Sequence, residues 1–205
     1  MRVEEFYYGY RKLSFGPISF NFEGTMLITG PNGVGKSSLL RALLGGIKSF
    51  GRVEVDGQVI QDGKRGLPTE KRPMAYLPQK DPALPFLTVE ENLKLVGSID
   101  EDLLEELGIR KLMKVKVKEL SGGQRKRVGI AMVLSSSKKV LLLDEPLSGI
   151  DSESRSMIID IILNRSKGKD VLWVTHYAEV IERVKNVLYL NPSSLGGRSY
   201  PIASL

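Results

Sequence analysis

One stretch limits what this chain can fold into more than any other: Gly30-Pro31-Asn32-Gly33-Val34-Gly35-Lys36-Ser37-Ser38, set between the apolar runs Met26-Leu27-Ile28 and Leu39-Leu40-Arg41-Ala42-Leu43-Leu44. The spacing G-x-x-x-x-G-K-S between a strand and a helix is that of a loop that cradles phosphate. Its glycines let backbone N–H groups turn inward and approach an anion closely, and the helix start adds the positive end of its dipole. Lys36 can reach the β- and γ-phosphates of a nucleotide, and the Ser37 hydroxyl can ligate Mg²⁺. A loop of this kind belongs at the carboxyl end of a strand in an α/β sheet.

The rest of the chain must supply that sheet. With 205 residues it can bury a sizeable core as one domain with a subdomain. It has no cysteine, which excludes disulfide frameworks, thiolate zinc sites and iron–sulfur ligation. Met1-Arg2-Val3-Glu4-Glu5 is acidic and lacks the apolar stretch of a secretory signal. No apolar run approaches the roughly 18 residues of a spanning helix. The net charge of +6 is a moderate excess. Its clearest cluster, Arg110, Lys111, Lys114, Lys116 and Lys118 followed by Arg125, Lys126 and Arg127, has no interleaved aromatics. It reads as a solvated helical face and does not point to nucleic acid.

Residues 3–22 alternate apolar and polar with many Phe and Tyr, the pattern of antiparallel strands, broken at Phe15-Gly16-Pro17. The helix after the phosphate loop stops at Gly45-Gly46. Val53-Glu54-Val55, Asp56-Gly57, Gln58-Val59-Ile60 predicts a hairpin, and residues 61–73 a loop. From about 84 to 134 the pattern is helical. Thr88 with Glu91 forms a capping box, Asp100 starts a second helix that Gly108 ends, and Ser121-Gly122-Gly123 opens a third. Strands at 140–143, 171–175 and 187–190 and a helix at 152–164 follow, with an irregular tail from Asn191.

Four of the apolar runs end in residues capable of phosphate, metal or water chemistry: 26–29 in Gly30, 74–77 in Gln79, 140–143 in Asp144-Glu145, and 171–175 in His176. In a parallel sheet these converge on one site beyond the carboxyl ends of the strands. Asp144 can orient Mg²⁺, which keeps much of its water shell, and Glu145 can serve as general base toward an attacking water. The Gln79 amide can ligate Mg²⁺ and position water, and His176, the only histidine, can hydrogen-bond a γ-phosphate. Leu120-Ser121-Gly122-Gly123-Gln124 places a second anion-binding turn at a helix start.

With that pentapeptide the chain resembles the ATP-binding cassette (ABC) ATPases over nearly its whole length, from about Val3 to Leu190. The resemblance implies an α/β fold. Its parts would be a P-loop NTPase core with a mostly parallel sheet, an N-terminal antiparallel β subdomain, and an inserted helical subdomain at about 84–135, all within one ABC ATPase domain of residues 1–205. It makes Gly30 to Ser37 the Walker A loop, with Ser38 following. Gln79 becomes the Q-loop residue, and Leu120 to Gln124 the signature. Residues 140–144 match Walker B and Glu145 the catalytic glutamate, while Ser148-Gly149-Ile150-Asp151 match the D-loop and His176 the switch histidine. Tyr10 would stack on adenine, with Tyr8 the alternative. Departures are mild: Gly149 stands where alanine is common, and Ala131-Met132 where Ala-Arg is frequent.

The resemblance also implies a mechanism. Two cassettes bind head to tail, identical or different, so that each ATP with its Mg²⁺ lies between Walker A of one subunit and the signature of the other. The helical subdomain docks on transmembrane permease subunits, placing the chain on the cytoplasmic face of the membrane. The leading expectation is the separate ATPase subunit of an ABC transporter. The alternative is a soluble ABC ATPase of DNA maintenance, translation or cofactor assembly. Against it stand the 40 residues between Gln79 and Leu120, too few for an inserted coiled coil, the presence of one cassette instead of two, and the lack of cysteine.

Overall fold

The computed structural model describes residues 1–12 and 14–191. The predicted irregular tail, from residue 192 onward, lies outside them. Two five-stranded sheets form the frame. The first, ordered β2-β1-β4-β5-β6, contains β1 (Arg2–Gly9), β2 (Phe15–Asn21), β4 (Lys48–Val55), β5 (Gln58–Asp62) and β6 (Arg65–Gly66), and is antiparallel throughout. The second, ordered β10-β3-β9-β8-β7, contains β3 (Thr25–Thr29), β7 (Met74–Leu77), β8 (Val140–Asp144), β9 (Asp170–Val174) and β10 (Asn186–Tyr189), and every pairing in it is parallel.

The parallel sheet divides the interior in two, and the period of two along its strands decides which side each residue serves. In β8, Leu141 and Leu143 join a cluster built with α4 (Gly122–Leu134), α5 (Ser152–Arg165) and the helical segment before them. Val140 and Leu142 join the other cluster, with Leu39, Leu40, Ala42 and Leu43 of α1 (Lys36–Leu44) and with Val3, Phe6 and Tyr8 of the antiparallel sheet. All of β8 is buried, as expected of a strand covered on both faces.

Between β7 and β8 lie α2 (Val89–Lys94), α3 (Glu101–Glu106), α4 and two short 3₁₀ turns. Their starts are set as the sequence reads. Thr88 and Glu91 make the reciprocal capping box, and the Asp100 carboxylate accepts from Leu103 N at 2.9 Å. The last helix, α6 (Ala178–Ile181), leads into β10.

Three local expectations are corrected. Residues 61–73 are not one loop, because Gly63-Lys64 makes a second tight turn that lets β6 pair back on β5, Gln61 opposite Gly66. Phe15-Gly16-Pro17 does not interrupt the sheet. It opens β2, an edge strand, where the missing proline N–H leaves no ladder partner unsatisfied. The basic cluster is not one solvated helical face. Arg110 to Lys118 sit on the 3₁₀ turns and the segments joining them, while Lys126 is buried.

Candidate functional site

Strand register sets the site. Asp144 lies level with Val174, Val174 with Ile28, and Leu77 with Leu143. The residues after these strand ends therefore emerge along one rim of the sheet: Gly30 after β3, Gln79 after β7, Glu145 after β8 and His176 after β9.

The phosphate loop has the required backbone. Gly30, Gly33 and Gly35 adopt φ of 137°, 79° and 98°. A Cβ on Gly30 would lie 2.0 Å from Leu190 O, so no other residue fits there. Gly35 caps α1 without a side-chain hydrogen bond, leaving that helix start open to an anion. Lys36 Nζ donates to the carbonyls of Gly30 at 2.7 Å and Pro31 at 2.9 Å, so the ammonium folds back on its own loop.

Behind the loop, Ser37 Oγ donates to Asp144 Oδ1 at 2.8 Å. Tyr76 OH donates to the other oxygen, Oδ2, at 3.1 Å. Asp144 is 1% exposed, so two hydroxyl donors hold a carboxylate that water does not reach. A hydroxyl and a carboxylate oxygen side by side are the hard donors that suit Mg²⁺, which takes one or two protein ligands and completes its shell with water and phosphate. The residues present therefore fit that ion. Among the described residues no group of three or more acidic, histidine or cysteine side chains is gathered to hold a metal.

Glu145 is the unusual residue of the rim. Its backbone has φ of 50° although it carries a side chain, a conformation that costs about 1–3 kcal/mol and gathers at functional sites. Its N–H donates to Val174 O at 3.0 Å. Oε1 meets His176 Nδ1 at 3.0 Å, and Oε2 is buried without a partner among the described residues. A carboxylate oxygen left unpaired inside the site is placed to accept a proton from something that binds there. If Glu145 is ionised, the contact puts the imidazole proton on Nδ1, so neutral His176 would present Nε2 as an acceptor. To donate from Nε2 to a phosphate, the imidazole must either gain a second proton or release Glu145.

A cavity of about 230 Å³ is lined by Phe15, Asn32, Gly33, Gly35, Lys36, Ser37, Ser38, Gln79, Glu145 and Val174. Ligand pockets commonly measure about 300–1,000 Å³, so this one has room for phosphates and not for an enclosed nucleotide. A larger recess of about 630 Å³, among Met1, Asn21, Glu54, Lys139 and Asp170, contains none of the predicted residues.

The remaining predicted residues lie apart from this cavity. Ser121 and Gln124 satisfy each other in a capping box at the start of α4. Asp151 caps α5, accepting from Ser154 N at 2.8 Å, and this bond holds its carboxyl below the usual range. Tyr8 is 1% exposed and stacks on Phe15, and burial pushes its hydroxyl pKa up. Tyr10 is 55% exposed, and its hydroxyl accepts from Arg41 Nη1 at 2.5 Å.

Three residues at the site were not singled out from the sequence. Phe15 packs over Gly35, where a Cβ would meet its ring at 2.9 Å, and it forms the apolar wall of the cavity. Tyr76, on β7, occupies an inward position beside Asp144 that strand alternation alone does not mark as polar. Lys126 lies in α4, and its Nζ donates to Gln79 O at 2.7 Å, with burial lowering its pKa. The one available signal was a lysine inside an otherwise apolar helical stripe.

The sequence profile of the ABC transporter family matches residues 17–148, well over half of the chain. The chain belongs to the ABC transporter family. It is 35% identical over 195 residues to the molybdate/tungstate import ATP-binding protein of Thermococcus kodakarensis, spanning 87% of this chain and 58% of that one. It is 37% identical over 176 residues to a molybdenum import ATP-binding protein of Methylococcus capsulatus, spanning 80% and 49%. A putative ABC transporter ATP-binding protein of Pyrococcus horikoshii is 35% identical, spanning 93% and 78%. The chain thus spans about half the length of several curated ABC relatives that it matches.

Among solved structures, a bacterial Atm1-family ABC exporter with ATP bound superposes with a TM-score of 0.80 at 21% identity, covering 97% of this chain and 38% of that one. A putative ABC transporter ATP-binding protein of Pyrococcus furiosus gives 0.72 at 23%, covering 92% and 96%. Both share the ABC ATPase fold.

Proposed function

We propose that the chain is one ATP-hydrolysing cassette of an ABC transporter, acting as a single ABC ATPase unit. The observation that carries this reading is the unpaired, buried Glu145 Oε2 on the rim shared with Lys36, Ser37, Gln79 and His176. In this reading the α1 start and Lys36 bind the β- and γ-phosphates. Lys36 exchanges the Gly30 and Pro31 carbonyls for phosphate oxygens, a replacement that strengthens its hydrogen bonds. Ser37, Asp144 and Gln79 would hold Mg²⁺, which supplies charge neutralisation on the phosphates when bound. Glu145 accepts the proton of the attacking water. His176 donates to the γ-phosphate once its contact with Glu145 is released or it carries a second proton. Phe15 forms the apolar floor on which the sugar end of the nucleotide rests, and Tyr10, the more exposed of the two tyrosines, takes the adenine.

The cavity accommodates the phosphates alone, and Ser121 to Gln124 do not line it. A second cassette supplies what is missing, with its signature reading the γ-phosphate across the interface. Association of the two cassettes follows ATP binding, and separation follows hydrolysis. The transport partner would be a pair of permease subunits docked against the helical segment. There Leu84 and Phe86 are 50% and 75% exposed just beyond Gln79. No helix among the described residues is long and apolar enough to cross a membrane, so a membrane location on the cytoplasmic face would come through that permease. The relatives named for molybdenum, molybdate or tungstate import make uptake the direction to test first.

The test is steady-state ATP hydrolysis with Mg²⁺. Wild type hydrolyses ATP, and Glu145→Gln loses at least about a hundredfold in kcat while still binding ATP. Normal turnover by Glu145→Gln would remove Glu145 as the base.

A further inference from the structure

His176 is held on two sides. Its Nδ1 meets Glu145, and its ring face lies on Tyr177, centroids 4.4 Å apart at 27°. The Tyr177 ring also carries the Arg155 guanidinium, whose central carbon is 4.4 Å from the ring centroid. Tyr177 also packs against the buried cluster beneath α4 and α5. His176 itself is 70% exposed at its side chain, so these contacts, and not enclosure, fix its ring.

Arg155 is anchored by its stack. Its ion pair with Glu179, at 3.4 Å, involves a half-exposed carboxylate, and exposed pairs of this kind add little. Its Nε is buried with no partner among the described residues, a cost the protein tolerates at this position. A guanidinium over an aromatic face gains electrostatic attraction from the ring and offsets part of that cost. The helix that carries Arg155 is itself fixed at its start. Asp151 caps it, and Arg127 of α4 donates to Ser154 Oγ at 2.8 Å.

We propose that Tyr177 and Arg155 are positioning residues for His176: Arg155, on the first turns of α5, stacks on Tyr177, and Tyr177 fixes the imidazole plane at the rim beside Glu145, so that Nε2 can donate to a phosphate when the ring carries a second proton or leaves Glu145. The role in turnover rests on the ATPase reading above, whereas the hold on His176 can be read without it. The device works through the flat face of residue 177, so its hydroxyl is dispensable.

The experiment uses the fact that His176 is the only histidine of the chain, so its ring C–H resonances need no assignment. In wild type the Tyr177 ring shifts them upfield. Tyr177→Leu moves them toward the free-histidine position, Arg155→Met moves them part of the way, and Tyr177→Phe leaves them in place. With Mg²⁺ and ATP, Tyr177→Leu lowers kcat about tenfold with KM for ATP within about twofold, and Tyr177→Phe restores most of that loss. If Tyr177→Leu does not fold, Arg155→Met carries the same resonance and kinetic test. Unchanged His176 resonances in both variants, or equal kcat losses in Tyr177→Phe and Tyr177→Leu, would overturn the proposal. A wild type that hydrolyses no ATP would overturn the ATPase reading instead, and the resonances would still decide whether the stack holds His176.

Discussion

At the scale of single residues, each group around the phosphate loop is held by a partner that nucleotide would replace or join. Lys36 donates to two carbonyls, Ser37 donates to Asp144, and Glu145 Oε2 has no partner among the described residues. Lys36→Ala removes charge-assisted hydrogen bonds of about 1.5–3 kcal/mol. ATP affinity measured by calorimetry should fall roughly tenfold to a hundredfold, and retained affinity would mean that Lys36 does not contact phosphate. Residues of this kind were legible in the sequence because their chemistry comes with spacing. Phe15, Tyr76 and Lys126 were not, because their roles depend on what lies across the fold. Phe15 is a strand residue opposite Tyr8 that happens to cover Gly35. Lys126 reads as one of a basic run until packing buries it and turns its ammonium onto Gln79 O.

At the scale of elements, the parallel strands do the positioning, and their apolar content does the stabilising. Leu142 of β8 is fully buried in the cluster shared by α1 and the antiparallel sheet, two residues before Asp144. Leu142→Ala should cost about 2–5 kcal/mol in denaturant-measured stability, because the rigid sheet can collapse little around the lost volume. A cost below about 1 kcal/mol would contradict the two-cluster account of the core. Element type and order were legible from period and punctuation: the Asp-Gly hairpin, the Thr88 and Ser121 capping boxes, and the buried run of β8. The Gly63-Lys64 turn and the start of β2 were not. In β2 the local signal of Gly16-Pro17 argues for a break, and only its place on the sheet edge makes a strand there acceptable.

At the scale of the whole molecule, two glycine-rich helix starts, those of α1 and α4, lie apart. The α1 start lines a cavity too small to enclose a nucleotide, and the α4 start lies outside it with Ser121 and Gln124 capping each other. Neither makes a finished site alone. Joined head to tail, two chains would complete both at once, and ATP binding would become an association step. The measurement that tests this most directly is the solution mass of Glu145→Gln by sedimentation or light scattering, with and without ATP and Mg²⁺. The variant should be a monomer without nucleotide, twice that mass with ATP, and a monomer again with ADP. A monomeric mass at saturating ATP, with binding confirmed in the same sample, would contradict it.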